Sequence, residues 1–168
     1  MAITFITGGQ RSGKSSYAQQ LAEAVSDQPV YLATARHWDA DFTKRIQRHQ
    51  ADRGPQWTTV EEEKHLGRLP LENKTILLDC ITLWLTNIFH DNSYDVEVAL
   101  KVAKNEWDLF TKMDNQLFVV SNELGMGIHA QDEVSRKFTD LQGWMNQYIA
   151  QKSEKVLLMV AGLPLTVK

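Results

Sequence analysis

One stretch near the start of the chain decides its fold class: Gly8-Gly9-Gln10-Arg11-Ser12-Gly13-Lys14-Ser15. It fits the pattern G-x-x-x-x-G-K-[ST] and lies between a strand-like segment, Ile3 to Ile6, and an amphipathic helical segment. Glycines let backbone N–H groups turn inward around phosphate oxygens, while the helix directs its positive end and the Lys14 ammonium toward them. All eight residues are therefore predicted to bind a nucleotide, and Ser15 to hold Mg²⁺ as well. An ordinary glycine-rich turn is the alternative, which the flanking strand and helix argue against.

Further segments rich in β-branched and aromatic residues recur downstream, each followed by a polar or helical stretch. They predict buried strands at Val30 to Ala33, Thr75 to Asp79, Leu117 to Ser121 and Val156 to Val160. Apolar residues at spacings of three and four predict helices between them, one over Val96 to Phe110 and another over Val134 to Tyr148 that contains Gly143. This alternation predicts an α/β protein: a three-layer P-loop fold of the RecA-like type with a mostly parallel central sheet.

Composition limits the possible domain organisation, binding partners and location of the protein. The chain has 168 residues, 43% of them hydrophobic, and a net charge of −3, which fits a single catalytic domain over residues 1–168 and excludes a broadly basic nucleic-acid-binding surface. Cys80 is the one cysteine, so neither an internal disulfide nor a cysteine-rich metal site is possible. No apolar run approaches the roughly 20 residues of a membrane span, and no signal-peptide pattern precedes the first strand. We expect a cytoplasmic protein with no membrane span and no nucleic-acid partner.

A carboxylate at the end of a predicted strand is the candidate second metal ligand. Asp79 ends the segment Thr75 to Asp79, and ligands gather at the carboxyl ends of strands in open α/β sheets. Its other possible role is to cap the helix that begins near Thr82. We favour the metal role because a P-loop makes a nearby carboxylate useful, and we interpret Cys80 as a small buried residue rather than a nucleophile.

A histidine lies among arginines in the predicted helix Asp39 to Arg53. His49 has Arg45 and Arg48 within one turn and Arg53 one turn further on. Such surroundings suit an anionic phosphate partner and favour the neutral imidazole, which is the form that attacks phosphorus. The residues alone favour a solvated basic helix face with an incidental histidine over catalysis, so a catalytic role stays open at this point.

A second glycine-containing stretch, Asn122 to Gly127, follows the end of a predicted strand. Its glycines allow close backbone approach to a ligand, but a plain turn would have the same composition.

Taken together, the motifs resemble those of one known family, and the resemblance covers nearly the whole length. The chain resembles the bifunctional adenosylcobinamide kinase / adenosylcobinamide-phosphate guanylyltransferase family. The segments that carry the resemblance are GGQRSGKS at 8–15, YLATA at 31–35, RIQRHQADRGPQWTTVEE at 45–62, LLDCITLWLTN at 77–87, VSNELGMGI at 120–128 and AGLPL at 161–165. Many relatives have two adjacent histidines where this chain has Arg48 and His49.

The resemblance implies two reactions, carried out with shared nucleotide-binding residues or at a subunit interface. A nucleoside triphosphate at the P-loop phosphorylates adenosylcobinamide, with Lys14 and with Mg²⁺ at Ser15 and Asp79. His49 then takes GMP from GTP and passes it to adenosylcobinamide phosphate. The resemblance also implies that ATP and GTP are substrates, that the protein is a homo-oligomer, specifically a trimer, and that further nucleotide contacts fall on Ala33, Thr34, Ala35, Gln50, Ala51, Asp52, Arg53 and Glu61.

Two other functions remain to be compared with this one. A P-loop kinase of another small molecule would keep Lys14 and Asp79 but give no reason for a histidine among arginines. A regulatory GTP switch reads guanine with N-K-x-D, and the nearest string, Asn105 to Asp108, lacks the lysine and lies inside a predicted helix.

Overall fold

The computed structural model describes residues 1–36 and 54–168 and builds them around one sheet. Its strands are β1 (Ala2–Gly8), β2 (Val30–Ala33), β3 (Thr58–Glu61), β4 (Thr75–Asp79), β5 (Gln116–Val120), β6 (Lys155–Val160) and β7 (Leu163–Thr166). They lie in the order β3-β2-β4-β5-β1-β6-β7. Neighbours from β3 to β6 pair in parallel, and β7 pairs with β6 in the antiparallel sense.

Helices cover both faces of the sheet. They are α1 (Lys14–Val25), α2 (Ile81–Asp91), α3 (Val96–Phe110) and α4 (Glu133–Lys152), with a short 3₁₀ turn at Leu66–Arg68. Ala18 and Ala22 of α1 pack with one face of the sheet, whereas buried residues of α2, α3 and α4 form a larger core with the other face. The predicted three-layer α/β architecture with a mostly parallel sheet is confirmed.

The predicted strands are all present: β2 and β4 have the predicted bounds, and β1, β5 and β6 differ from them by one or two residues. The short strands β3 and β7 were not predicted, because both are sheet-edge strands with little buried surface and neither shows a long apolar run. Pro164 also argues against a strand in the sequence. An edge strand tolerates proline, because the missing N–H donor is not needed on the side of the strand that has no neighbour.

The last helix runs unbroken through Gly143. Its buried face is formed by Leu141, Met145 and Ile149, and the Asp132 side chain caps it by accepting from the Ser135 N–H at 2.8 Å. Packing of this face outweighs the modest cost of one glycine within a helix.

The strand register brings four strand ends to one edge of the sheet. Ala33 of β2 lies opposite Asp79 of β4, Asp79 lies opposite Val120 of β5, and Val120 lies opposite Ile6 of β1. The loops that follow these strands therefore meet at this edge, which we call the carboxyl edge.

Candidate active site

The glycine-rich stretch forms a tight loop between β1 and α1. Gly13 stands immediately before α1 with a φ of 91°, a left-handed conformation that favours glycine. A Cβ at this position would also lie 3.2 Å from the Cα of Gly162, whose N–H donates to the Ser12 carbonyl at 3.0 Å. The β6–β7 hairpin thus supports the loop from one side, and phosphate binding by the loop stays a prediction.

Lys14 is the first residue of α1 and its side chain is largely enclosed, at 7% exposure. Its Nζ donates to the Gly9 carbonyl at 2.6 Å and lies 3.5 Å from Ser12 Oγ, so the ammonium sits inside the loop. Burial lowers the pKa of Lys14, while the charge of the nearby Asp79 carboxylate acts in the opposite direction. The cation is therefore poorly solvated and within electrostatic reach of Asp79, which is the state in which an added phosphate stabilises it most.

Asp79 occupies the end of β4, next to the loop. Its Oδ2 accepts a hydrogen bond from the Tyr31 hydroxyl at 3.1 Å, which orients the carboxylate. The residue that directly precedes α2 is Cys80, and no side-chain hydrogen bond caps that helix. The helix-capping alternative for Asp79 is thus not what the structure shows.

The oxygens of Ser15 and Asp79 fit a magnesium ion. A hydroxyl and a carboxylate are hard ligands, and Mg²⁺ takes its remaining ligands from water and substrate phosphates. Among residues 1–36 and 54–168 no group of three or more His, Cys, Asp or Glu side chains forms a self-sufficient metal site. A metal at this place would therefore depend on the nucleotide for part of its coordination.

Cys80 is confirmed as a buried, unreactive residue. Burial raises the pKa of its thiol to about 12, which keeps it protonated. Its backbone N–H donates to Thr34 Oγ1 at 3.0 Å, and the Thr34 hydroxyl donates back to the Cys80 carbonyl at 2.7 Å.

Thr34 links β2 to α2 through these bonds. Thr34 is fully buried, and its backbone carbonyl accepts a hydrogen bond from Asn87 Nδ2 at 2.8 Å. Ala33 ends β2 beside Asp79, and Ala35 follows as a half-buried residue at the carboxyl edge. A nucleotide contact by these three residues stays a prediction, and for Thr34 the hydroxyl is already engaged.

Glu61 lies far along the sheet from the glycine-rich loop. It ends β3 opposite Ala33, and the strands β2, β4 and β5 separate it from β1. Its predicted nucleotide contact also stays a prediction. His49, the arginines around it and the predicted contacts Gln50, Ala51, Asp52 and Arg53 lie outside the described residues.

The structure adds an ion-pair network that sequence reasoning did not detect. Arg36 donates through both terminal nitrogens to Asp91 at 3.0 Å and through Nε to Glu63 at 2.6 Å, and Lys64 also donates to Asp91 at 2.6 Å. These pairs hold down the pKa of Asp91 and raise that of Arg36. They tie the end of α2 to the chain that follows β2, and no local sequence signal marks partners 55 residues apart.

A buried polar cluster behind the end of β5 was also missed. The Ser121 hydroxyl donates to Asn146 Oδ1 at 2.7 Å, and Gln142 Nε2 donates to both of these residues at 2.8 and 3.0 Å. Asn146 in turn donates to the Asn122 carbonyl at 3.1 Å. The cluster thereby fixes the chain where it leaves β5.

Comparison with known proteins decides the family. Residues 4–167 match the family described as cobinamide kinase / cobinamide phosphate guanyltransferase. The chain belongs to this family. Membership accounts for the Lys14 ammonium lying within electrostatic reach of Asp79, because a kinase needs charged groups around the transferred phosphoryl group.

Relatives within this family match over nearly their full length. A bifunctional adenosylcobalamin biosynthesis protein of Pseudomonas aeruginosa, CobP, is 37% identical, covering 97% of this chain and 95% of its own. The proteins named CobU of Escherichia coli and Salmonella typhimurium are 32% and 31% identical, each covering 99% of both chains.

In the part of the chain that the structure describes, no helix is both long and apolar enough to cross a membrane.

Proposed function

We propose that this protein phosphorylates adenosylcobinamide with a nucleoside triphosphate and then transfers GMP from GTP to adenosylcobinamide phosphate, giving adenosylcobinamide-GDP. The observation that carries the proposal is the enclosed Lys14 ammonium in a phosphate-binding loop, within electrostatic reach of Asp79, in a member of this family. One domain spanning residues 1–168 serves both steps.

In the kinase step the substrate hydroxyl attacks the γ-phosphorus of the bound triphosphate and its proton passes to solvent. The bond from the γ-phosphorus to the bridging oxygen breaks, and the nucleoside diphosphate leaves with the bonding electrons. Lys14 exchanges its bond to the Gly9 carbonyl for the phosphate oxygens and neutralises charge on them. Ser15 and Asp79 would hold Mg²⁺, which supplies further charge neutralisation. Tyr31 keeps the Asp79 carboxylate oriented through its hydroxyl.

In the guanylyl step a ring nitrogen of His49 attacks the α-phosphorus of GTP and pyrophosphate leaves with its bonding electrons. A phosphate oxygen of adenosylcobinamide phosphate then attacks the same phosphorus, the P–N bond breaks and the histidine is released. Dividing the transfer in this way replaces one difficult displacement with two easier ones. Gln50, Ala51, Asp52, Arg53 and Glu61 are the proposed additional nucleotide contacts, together with Ala33 to Ala35.

Incubation with α-labelled GTP tests the proposal. The protein should retain acid-labile, base-stable label, and adenosylcobinamide phosphate should discharge it. His49→Ala should abolish labelling, whereas His90→Ala, at a histidine on the α2 surface, should not. Labelling of the His49→Ala protein would refute the assignment, and phosphorylation of cobinamide without any labelling would favour the alternative of a small-molecule kinase that lacks guanylyltransferase activity.

The assembly and location of the protein belong to the same proposal. We expect a homotrimer in the cytoplasm, because the family resemblance points to sites between subunits and a lone cysteine suits a reducing compartment. Sedimentation velocity at micromolar concentration measures the assembly directly.

A further inference from the structure

The loop between β5 and α4 exposes apolar side chains beside the phosphate site. Residues 124–128 read Leu-Gly-Met-Gly-Ile, and we call them the apolar segment. Leu124 is 38% exposed, Met126 77% and Ile128 96%. Large apolar side chains exposed together mark a surface that contacts something else.

The two residues that precede the apolar segment hold it next to the glycine-rich loop. The Glu123 N–H donates to the Gly8 carbonyl at 3.0 Å, so the chain leaving β5 touches the end of β1 where the phosphate-binding loop begins. The Asn122 N–H and Nδ2 both donate to Thr82 Oγ1 at 3.1 Å, and Asn146 donates to the Asn122 carbonyl. The residues that lead into the segment are therefore held in place, while the apolar side chains of the segment are exposed to solvent.

The two glycines of the segment are not explained by the fold. Neither has a positive φ, and a Cβ at Gly127 would meet no atom within 4 Å. A Cβ at Gly125 would meet only the flexible Glu123 carboxylate, at 3.3 Å. Gly9, inside the phosphate-binding loop, shows the same two features, and there the missing side chain would let the nucleotide phosphates come close to the backbone. The glycines of the segment leave room for a ligand to come close to the backbone.

We infer that the apolar segment docks the corrin ring of the acceptor. This inference rests on the proposed function, in which the hydroxyl of adenosylcobinamide must reach a phosphate held by the glycine-rich loop. The corrin macrocycle is far larger than that loop and must extend over the neighbouring surface. Its rim carries methyl groups and neutral carboxamides, which suit methionine and isoleucine side chains and open backbone amides, and the segment itself carries no charged side chain.

The test is steady-state kinetics with the acceptor varied. A Met126→Ser/Ile128→Ser double variant should raise the KM for adenosylcobinamide about tenfold or more, because apolar contacts with the acceptor are lost. A Gly127→Val variant should have an effect of similar size, because its side chain would block the approach of the acceptor to the backbone. The KM for the nucleotide and the labelling by α-labelled GTP should stay unchanged, because neither needs the corrinoid. Val25→Ser is the matched control, since Val25 is 52% exposed and lies at the end of α1 remote from the loop.

Three outcomes would overturn the inference. An unchanged acceptor KM in both variants of an active enzyme overturns the docking role alone. Dissociation of the double variant into smaller species by sedimentation would assign the segment to a contact between copies of the chain. A wild-type protein that neither phosphorylates cobinamide nor retains label would overturn the proposed function, and the docking inference with it.

Discussion

Substitution by alanine should affect two adjacent glycines of the phosphate-binding loop differently: Gly8→Ala should lower stability, and Gly9→Ala should weaken nucleotide binding. Gly8 has a φ of 151°, and a Cβ there would lie 2.6 Å from the Met159 carbonyl oxygen and 2.9 Å from Ser12 Oγ. The backbone of β6 would have to move, so overpacking and the unfavourable φ each cost about 1–3 kcal/mol. Gly8→Ala should therefore lower the free energy of unfolding by about 3 kcal/mol.

Gly9→Ala should leave folding unaffected and weaken nucleotide binding. A Cβ at Gly9 would meet no atom within 4 Å, and its φ lies outside the left-handed region, so the free energy of unfolding should change by less than about 0.5 kcal/mol. The added methyl group would stand where phosphate oxygens approach the backbone. We expect the nucleotide dissociation constant to rise about tenfold or more.

Urea denaturation followed by tryptophan fluorescence measures the first effect, and isothermal titration calorimetry with GTP measures the second. The glycine reasoning is refuted if Gly8→Ala unfolds at the wild-type urea concentration, or if Gly9→Ala binds GTP as tightly as the wild type does.

Three further predictions concern charged residues. Because burial lowers the pKa of Lys14, the unfolded chain binds more protons than the folded one between that lowered pKa and 10.5, so Lys14 makes stability rise with pH across this window. Lys14→Met should remove this contribution in urea denaturation and prevent phosphoryl transfer. Asp79→Asn should lower kcat about 100-fold or more in assays with Mg²⁺ varied, with little change in thermal unfolding because the Tyr31 hydroxyl can still donate to the amide oxygen. Asp91→Asn should cost roughly 0.5–1 kcal/mol at neutral pH, since ion pairs near the surface are screened. That difference should vanish as pH falls well below 3.8, because the lowered pKa of Asp91 stabilises the fold only while the carboxylate is charged; an equal loss at every pH would contradict this.

Sequence reasoning succeeded where the deciding pattern is local. The order of residues in the phosphate-binding loop, the buried strand that ends at Asp79 and the apolar stripe of α3 are each contained in one short window. Strand β3 shows why the same reasoning failed at the sheet edge. Its exposed threonines carry no strong burial signal, and it becomes a strand by pairing with β2.

The sequence by itself determined the class of fold and the family, and it predicted the phosphate-binding loop. Each of these follows from residue types at fixed spacing, which set local backbone geometry and the placement of charge. Only the tertiary structure decided that Tyr31 orients Asp79, 48 residues away, and that Glu123 bonds to Gly8 and brings the apolar segment to the phosphate site. The physical reason is that these contacts depend on strand order and register, because parallel pairing brings the ends of β1, β2, β4 and β5 to one edge of the sheet.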